Sequence, residues 1–180
     1  ISFPFLIKLS HMQRLRNLTG LPVVNMLTWW ANIGTDSYLD HLADGEPLVA
    51  SLYEQLFRNK RVINPLDEAF TEDAYALSGN LSDHLPALVA AFGVSAAELS
   101  LLTQTTDTTA VIKDRNLNLA NLSKLYRVAS FARTFKLTIN EYLSIRKLSG
   151  IDPFPVSPVI VRPTGATLRF VEKVTTIRSS

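Results

Sequence analysis

Three aspartates, Asp36, Asp40 and Asp44, recur at i, i+4 and i+8, with His41 beside them. On a helix this spacing lines up three carboxylates on one face, and hard cations such as Ca²⁺ take oxygen ligands of that kind. The plainer reading is a solvated helix face running into the Gly45-Glu46-Pro47 break, and it is the one preferred. The histidines, His11, His41 and His84, share no H-x-x-x-H spacing. Each therefore reads as a surface or capping residue, not a ligand. Asp67 and Glu68 are adjacent carboxylates, followed by Glu72 and Asp73. They fall in a connector and suit caps or solvated positions better than a general acid/base pair. Trp29 and Trp30 would point about 100° apart on a helix. One is expected in the core and the other toward a neighbouring segment, with ligand stacking the weaker alternative. Nothing matches a nucleophile elbow, a P-loop or a dinucleotide fingerprint. The expected set is therefore no catalytic residue, no metal ligand and no cofactor.

Most of the informative spacing lies at helix ends. Thr138 and Glu141 have the separation of a capping box, in which the hydroxyl accepts an orphan amide and the carboxylate reaches back to the cap. Ile139, Tyr142, Leu143 and Leu148 follow as an apolar stripe. Arg146 and Lys147 suit the negative end of the helix dipole, Gly150 a left-handed stop, and Pro153 prevents continuation. A preceding helix is predicted from about Asn121 to Phe135, with Leu122, Leu125, Tyr126, Ala129 and Ala132 inward. The short link makes the two helices neighbours, as an antiparallel hairpin or a more open pair. The same pattern occurs upstream: Leu85, Leu88, Val89 and Phe92 form a stripe, Gly93 stops it, and Ser95 with Glu98 opens the next helix toward Leu99 and Leu102. A degraded copy has Gly20 as a stop, Pro22 in the next first turn, and Met26, Leu27 and Trp30 as its stripe. The reading is an all-α fold, an array of packed helical hairpins with irregular connectors at 59–80 and 103–118. A short extended piece is expected at Ala110–Lys113 and another near the C-terminus at Val159–Val161. Three segments follow: a helical hairpin over 1–50, a helical core over 51–154, and a Pro-rich linker with the start of a further helix over 155–180.

Composition narrows the classes. Eighteen basic against 16 acidic residues leave a net charge of only +2, so the basic pI near 9.0 does not itself imply nucleic acid. The absence of cysteine excludes disulfides and Cys-ligated metal. A charged share of 19% is low and points to surface covered within a larger assembly. The longest apolar run, around Pro86 to Val94, falls short of the roughly 20 residues a spanning helix needs. The opening "ISFPFLIKLS" has no initiator Met, basic n-region or cleavage site, so a fragment or processed chain is expected. DNA binding by "AAFGVSAAELSLL" is a rival, since it has the turn of a helix-turn-helix reader. Its reading positions would be Ala96, Ala97 and Glu98, and in the second copy Ile139, Asn140 and Glu141. A glutamate at the front of each helix disfavours phosphate.

Several segments occur in a telling order: "SLYEQLFRNKRVINPLDEAF", "LSDHLPALVAAFGVSAAELSLL" and "LNLANLSKLYRVASFARTFKLTINEYLSIRKLSGIDPF". The Leu-Tyr-x-x-Leu-Phe-x-Asn segment at Leu52–Asn59, the Asn64-Pro65 turn, the helix at Leu119–Arg127 and the stop at Leu148–Phe154 together resemble the A subunit of bacterial toxin-complex (Tc) insecticidal toxins. Virulence-plasmid relatives share parts of the pattern. The resemblance covers about Ser51 to Phe154. It implies a non-enzymatic section of the α-helical shell around the channel of a very large, secreted or cell-surface, pore-forming protein that translocates a toxic enzyme. The implied partners are the remainder of the A subunit, its copies in a pentamer, the B and C subunits and the host-cell surface. No nucleic acid, and no membrane contact by this segment itself, is implied. The alternative is a stand-alone helical virulence or interaction module.

Overall fold

A computed structural model of the chain describes residues 3–21, 23–41, 44–45, 47–106, 110–155 and 165–179. The fold is all-α. In chain order the elements are α1 (Phe3–Thr19), α2 (Val23–Leu27), β1 (Tyr38–Leu39), β2 (Leu48–Val49), α3 (Leu52–Phe57), α4 (Leu85–Phe92), α5 (Ala96–Leu102), α6 (Leu119–Thr134), α7 (Ile139–Ser149) and α8 (Gly165–Ser179). Single 3-10 turns lie at Glu68–Phe70 and Leu81–His84. Contacts group the chain into two compact units, Ile1–Ala31 with Ser130–Ser180, and Asn32–Ala129. The first unit thus draws on all three sequence segments, taking residues 130–154 from the middle one.

The unit Asn32–Ala129 is built on stacked aromatic rings. Phe57 lies face to face with Phe70, centroids 4.5 Å apart, and meets Phe92 edge-on at 6.0 Å. Leu81, Leu88, Leu99, Leu102, Leu122 and Leu125 close the core at 0–1% exposure. Each such side chain contributes about 1.5–3 kcal/mol through burial. α4 ends at Gly93, which adopts φ +62°, and Ser95 caps α5. The axis turns by 111° between Leu81–Phe92 and Ala96–Leu102, so the pair is open, not an antiparallel hairpin. The expected extended piece at Ala110–Lys113 is irregular. It is fixed instead by fully buried Ile112, with an isolated bridge pairing Asn80 and Asn116. α6 starts two residues before the expected Asn121, because Asn118 Oδ1 accepts the Asn121 amide at 2.8 Å.

In the unit Ile1–Ala31 with Ser130–Ser180, Phe131 is the hub. Its ring meets those of Trp29, Phe135, Tyr142, Phe154 and Phe170 at 4.6–5.6 Å. α1 packs on α8, where Arg14 reaches Glu172 at 2.6 Å. α2 stops at Leu27, so Trp29 and Trp30 sit in a hydrogen-bonded turn, not on a helix. Both are buried. Trp30 Nε1 donates to Thr167 Oγ1 at 3.2 Å, and that hydroxyl donates to the Pro153 carbonyl.

Three predicted core positions are corrected. Leu148 is 88% exposed, and Leu27 and Leu85 are also exposed. α7 buries Ile139 and Tyr142 only, since its last turn lies beyond the ring cluster that covers its start. Pro22, Glu46 and the stretch containing Val159–Val161 lie outside the described residues.

Candidate functional site

Two clefts of the Asn32–Ala129 unit flank α3, which is held by its buried rings Tyr53 and Phe57. Ser51 and Glu54 form a capping box at its start: Glu54 N donates to Ser51 Oγ at 3.2 Å, and Ser51 N donates to Glu54 Oε2 at 3.0 Å. Glu54 Oε2 also accepts from Ser37 Oγ at 3.0 Å. That bond, then those from Ser51, hold the Glu54 carboxyl below the usual range. The S-x-x-E spacing at Ser51 was legible in the sequence and was missed there.

One helical turn on, Arg58 closes α3. Its Nε donates to the Phe70 carbonyl at 2.9 Å, and its Nη2 donates to the Glu72 carbonyl. The guanidinium also lies 5.3 Å from the centroid of the Tyr53 ring. Tyr53 is 2% exposed. Burial pushes its hydroxyl up to about 12, with Arg58 opposing the shift and Asp73 adding to it. Thr35, Glu54, Thr71 and Asp73 complete a cleft of about 420 Å³. A second, of about 450 Å³, is lined by Ser37, Leu48, Ala50, Gln55 and Asn59 with Glu54 and Arg58. The charges common to both clefts are thus engaged in the protein's own caps and carbonyls.

Two of the four carboxylates marked in the connector, Asp67 and Asp73, cap it. Asp67 Oδ1 accepts the Ala69 amide at 3.1 Å, and Asp73 Oδ1 accepts that of Tyr75 at 3.0 Å. Asp67 Oδ2 lies 2.8 Å from His84 Nδ1, and the His84 ring stands edge-on to Phe70. An Asp–His pair resembles part of a hydrolytic triad, yet here it ties two turns together over a core ring. His11 lies on α1, with Cε1 against the start of α8 at Gly165. Asp36, Asp40 and Asp44 are not on a helix. Asp36 precedes the β1–β2 hairpin and Asp40 and Asp44 lie in the connection between its strands, with Tyr38 opposite Val49 and Leu39 opposite Leu48. Helical spacing therefore places no common carboxylate face there. Among the described residues no group of three His, Asp or Glu side chains could hold a metal ion.

The marked caps sit at helix ends. Ser95 Oγ and Thr138 Oγ1 each accept the amide of the glutamate three residues on, Glu98 and Glu141, at 3.2 Å. Both carboxylates reach back to the cap amides at 2.9 and 2.8 Å. Gly20, Gly93 and Gly150 adopt φ of +69°, +62° and +64°. One terminus was not foreseen. α6 ends in a Schellman motif, with Leu137 N donating to Ala132 O at 2.8 Å and Lys136 N to Arg133 O at 3.1 Å. Its left-handed residue is Lys136, at φ +50°. A lysine gives no such signal, because glycine is the residue usually found there.

Charge is segregated, which the net value conceals. Ile1–Ala31 with Ser130–Ser180 holds 11 Lys and Arg against 3 Asp and Glu, a net of +8. Asn32–Ala129 holds 7 against 13, a net of −6. Compared with known protein families, curated proteins and solved structures, the chain has no significant match.

Proposed function

We propose that this chain is a scaffold section of a toxin-complex A subunit: part of the α-helical shell of a pentameric, pore-forming protein that carries a toxic enzyme into target cells. The observation that carries the reading is where the resembling residues fall. Tyr53 and Phe57 of the Leu52–Asn59 segment are buried core rings. Leu119, Leu122 and Leu125 of the next segment form the buried face of α6. The closing segment supplies the left-handed stop at Gly150 and the ring of Phe154 beside Phe131. Phe57, the α6 leucines, Gly150 and Phe154 build joints and cores and line neither cleft, as suits a scaffold, while Tyr53 packs in the core and also lines the cleft beside Arg58. Glu98 and Glu141 are folded back into their own capping boxes at the fronts of α5 and α7. Those positions therefore present carboxylates where a DNA reader would need donors.

The gene surrounding this segment tests the proposal. A much longer reading frame with amphipathic pore helices downstream is expected, and a stop codon near Ser180 would sink it. In that longer protein, Phe131→Ala should lower the yield of assembled pentamer on size-exclusion chromatography, while Leu148→Ala should leave folding of the subunit unchanged.

A further inference from the structure

We propose that the unit Ile1–Ala31 with Ser130–Ser180 docks on an anionic lipid surface through the first turns of α1. This stands apart from the scaffold reading and departs from its expectation that the segment makes no membrane contact. Phe3, Phe5, Leu6, Ile7 and Leu9 are 75, 52, 49, 41 and 54% exposed. At about 100° per residue they fall near 0°, 200°, 300°, 40° and 240° around the axis. These side chains therefore cover an arc of about 200°, from Phe5 through Leu9, Leu6 and Phe3 to Ile7, with Pro4 and Lys8 on the remaining side. A broad apolar arc bordered by basic residues is the form of a helix that lies in a membrane interface.

Charge points the same way. The chain has no acidic residue before Asp36, and Lys8 and Arg16 lie on α1 with Arg14, which is paired with Glu172. α8, packed on α1, turns Arg169, Lys173 and Ile177 outward at i, i+4 and i+8. It buries Leu168, Phe170, Val171 and Val174. The whole unit carries a net of +8. Apolar side chains beside an excess of Lys and Arg are the combination that binds anionic headgroups and the acyl boundary beneath them. A nucleic acid would satisfy the cations but leave five large apolar side chains in water.

The test is flotation of the 180-residue protein with phosphatidylcholine vesicles, with and without about 30% phosphatidylserine. Binding to the anionic vesicles is expected, with little to the neutral ones, and it should be lost at ~0.5 M salt as screening shortens the field. Phe5→Ser with Leu9→Ser alters only exposed side chains, so helical circular dichroism should persist while vesicle binding falls at least about tenfold. Lys8→Glu with Arg16→Glu should weaken binding by at least about 25-fold, at roughly fivefold for each cation removed. Equal binding to neutral vesicles, or binding indifferent to both double variants, would overturn the proposal. So would failure to float together with self-association that Phe5→Ser and Leu9→Ser abolish, since the face would then belong to a second copy. Failure to float together with salt-sensitive duplex DNA binding would overturn it in favour of nucleic acid.

Discussion

Arg58 shows how much of this structure hangs on single polar side chains. Its fork donates to two carbonyls of the 68–72 turn and lies over Tyr53. Arg58→Ala should lower stability to urea by about 2–3 kcal/mol, and Arg58→Lys should recover little, because an ammonium cannot reproduce the planar fork. Two titrations carry signs that follow from the same cleft. Glu54 is held below its ordinary value, so its contribution is present above the unfolded value near pH 4.3 and lost as pH falls through the folded one. Acid unfolding followed by circular dichroism should therefore be less steep in Glu54→Gln. Tyr53 is raised to about 12. Its contribution is complete below the unfolded value of about 10 and lost as pH rises through the folded one. Tyr53→Phe should remove that alkaline loss. The S-x-x-E spacing was visible before any fold was known, but Ser37 as the third partner of Glu54 was not. Ser37 lies 17 residues away and arrives only through the hairpin.

At the scale of elements, local rules and packing can be separated. Ser95→Ala and Thr138→Ala should each cost about 1 kcal/mol in denaturant unfolding, the usual worth of a side-chain cap. Lys136→Gly should stabilise by roughly 1 kcal/mol, because φ +50° strains any residue with a Cβ. Loss of stability on that substitution would show that the lysine side chain offsets its backbone cost. Phe131→Ala should cost about 3–5 kcal/mol, since it removes the ring that five others touch. Leu148→Ala should change stability by less than about 0.5 kcal/mol, although helical periodicity places Leu148 in the stripe of α7. Periodicity assigns a face to a helix, but it cannot say how far along that face a partner extends. Leu27 and Leu85 were misassigned for the same reason.

At the scale of the whole chain, the small net charge is the sum of two unlike parts, +8 and −6. At neutral pH and low salt the protein should be retained on both cation and anion exchangers, which a uniformly mixed surface at net +2 would not achieve. Elution by salt gradient on the two resins checks this. Flow-through on either would mean that the charges of that unit are neutralised within the fold.

The sequence by itself determined the helical class and the stops at Gly20, Gly93 and Gly150. It also determined the capping boxes that open α5 and α7. Each of these depends on residues a few positions apart, where backbone geometry alone sets the partner. Tertiary structure decided the rest: that Trp30 is anchored through Thr167, that Asp36, Asp40 and Asp44 lie before and between the strands of a hairpin, and that residues 1–31 share a compact unit with 130–180. Those facts depend on contacts between residues far apart in the chain. Such contacts are selected by burial and ring packing, which leave no periodic mark on the segments they join.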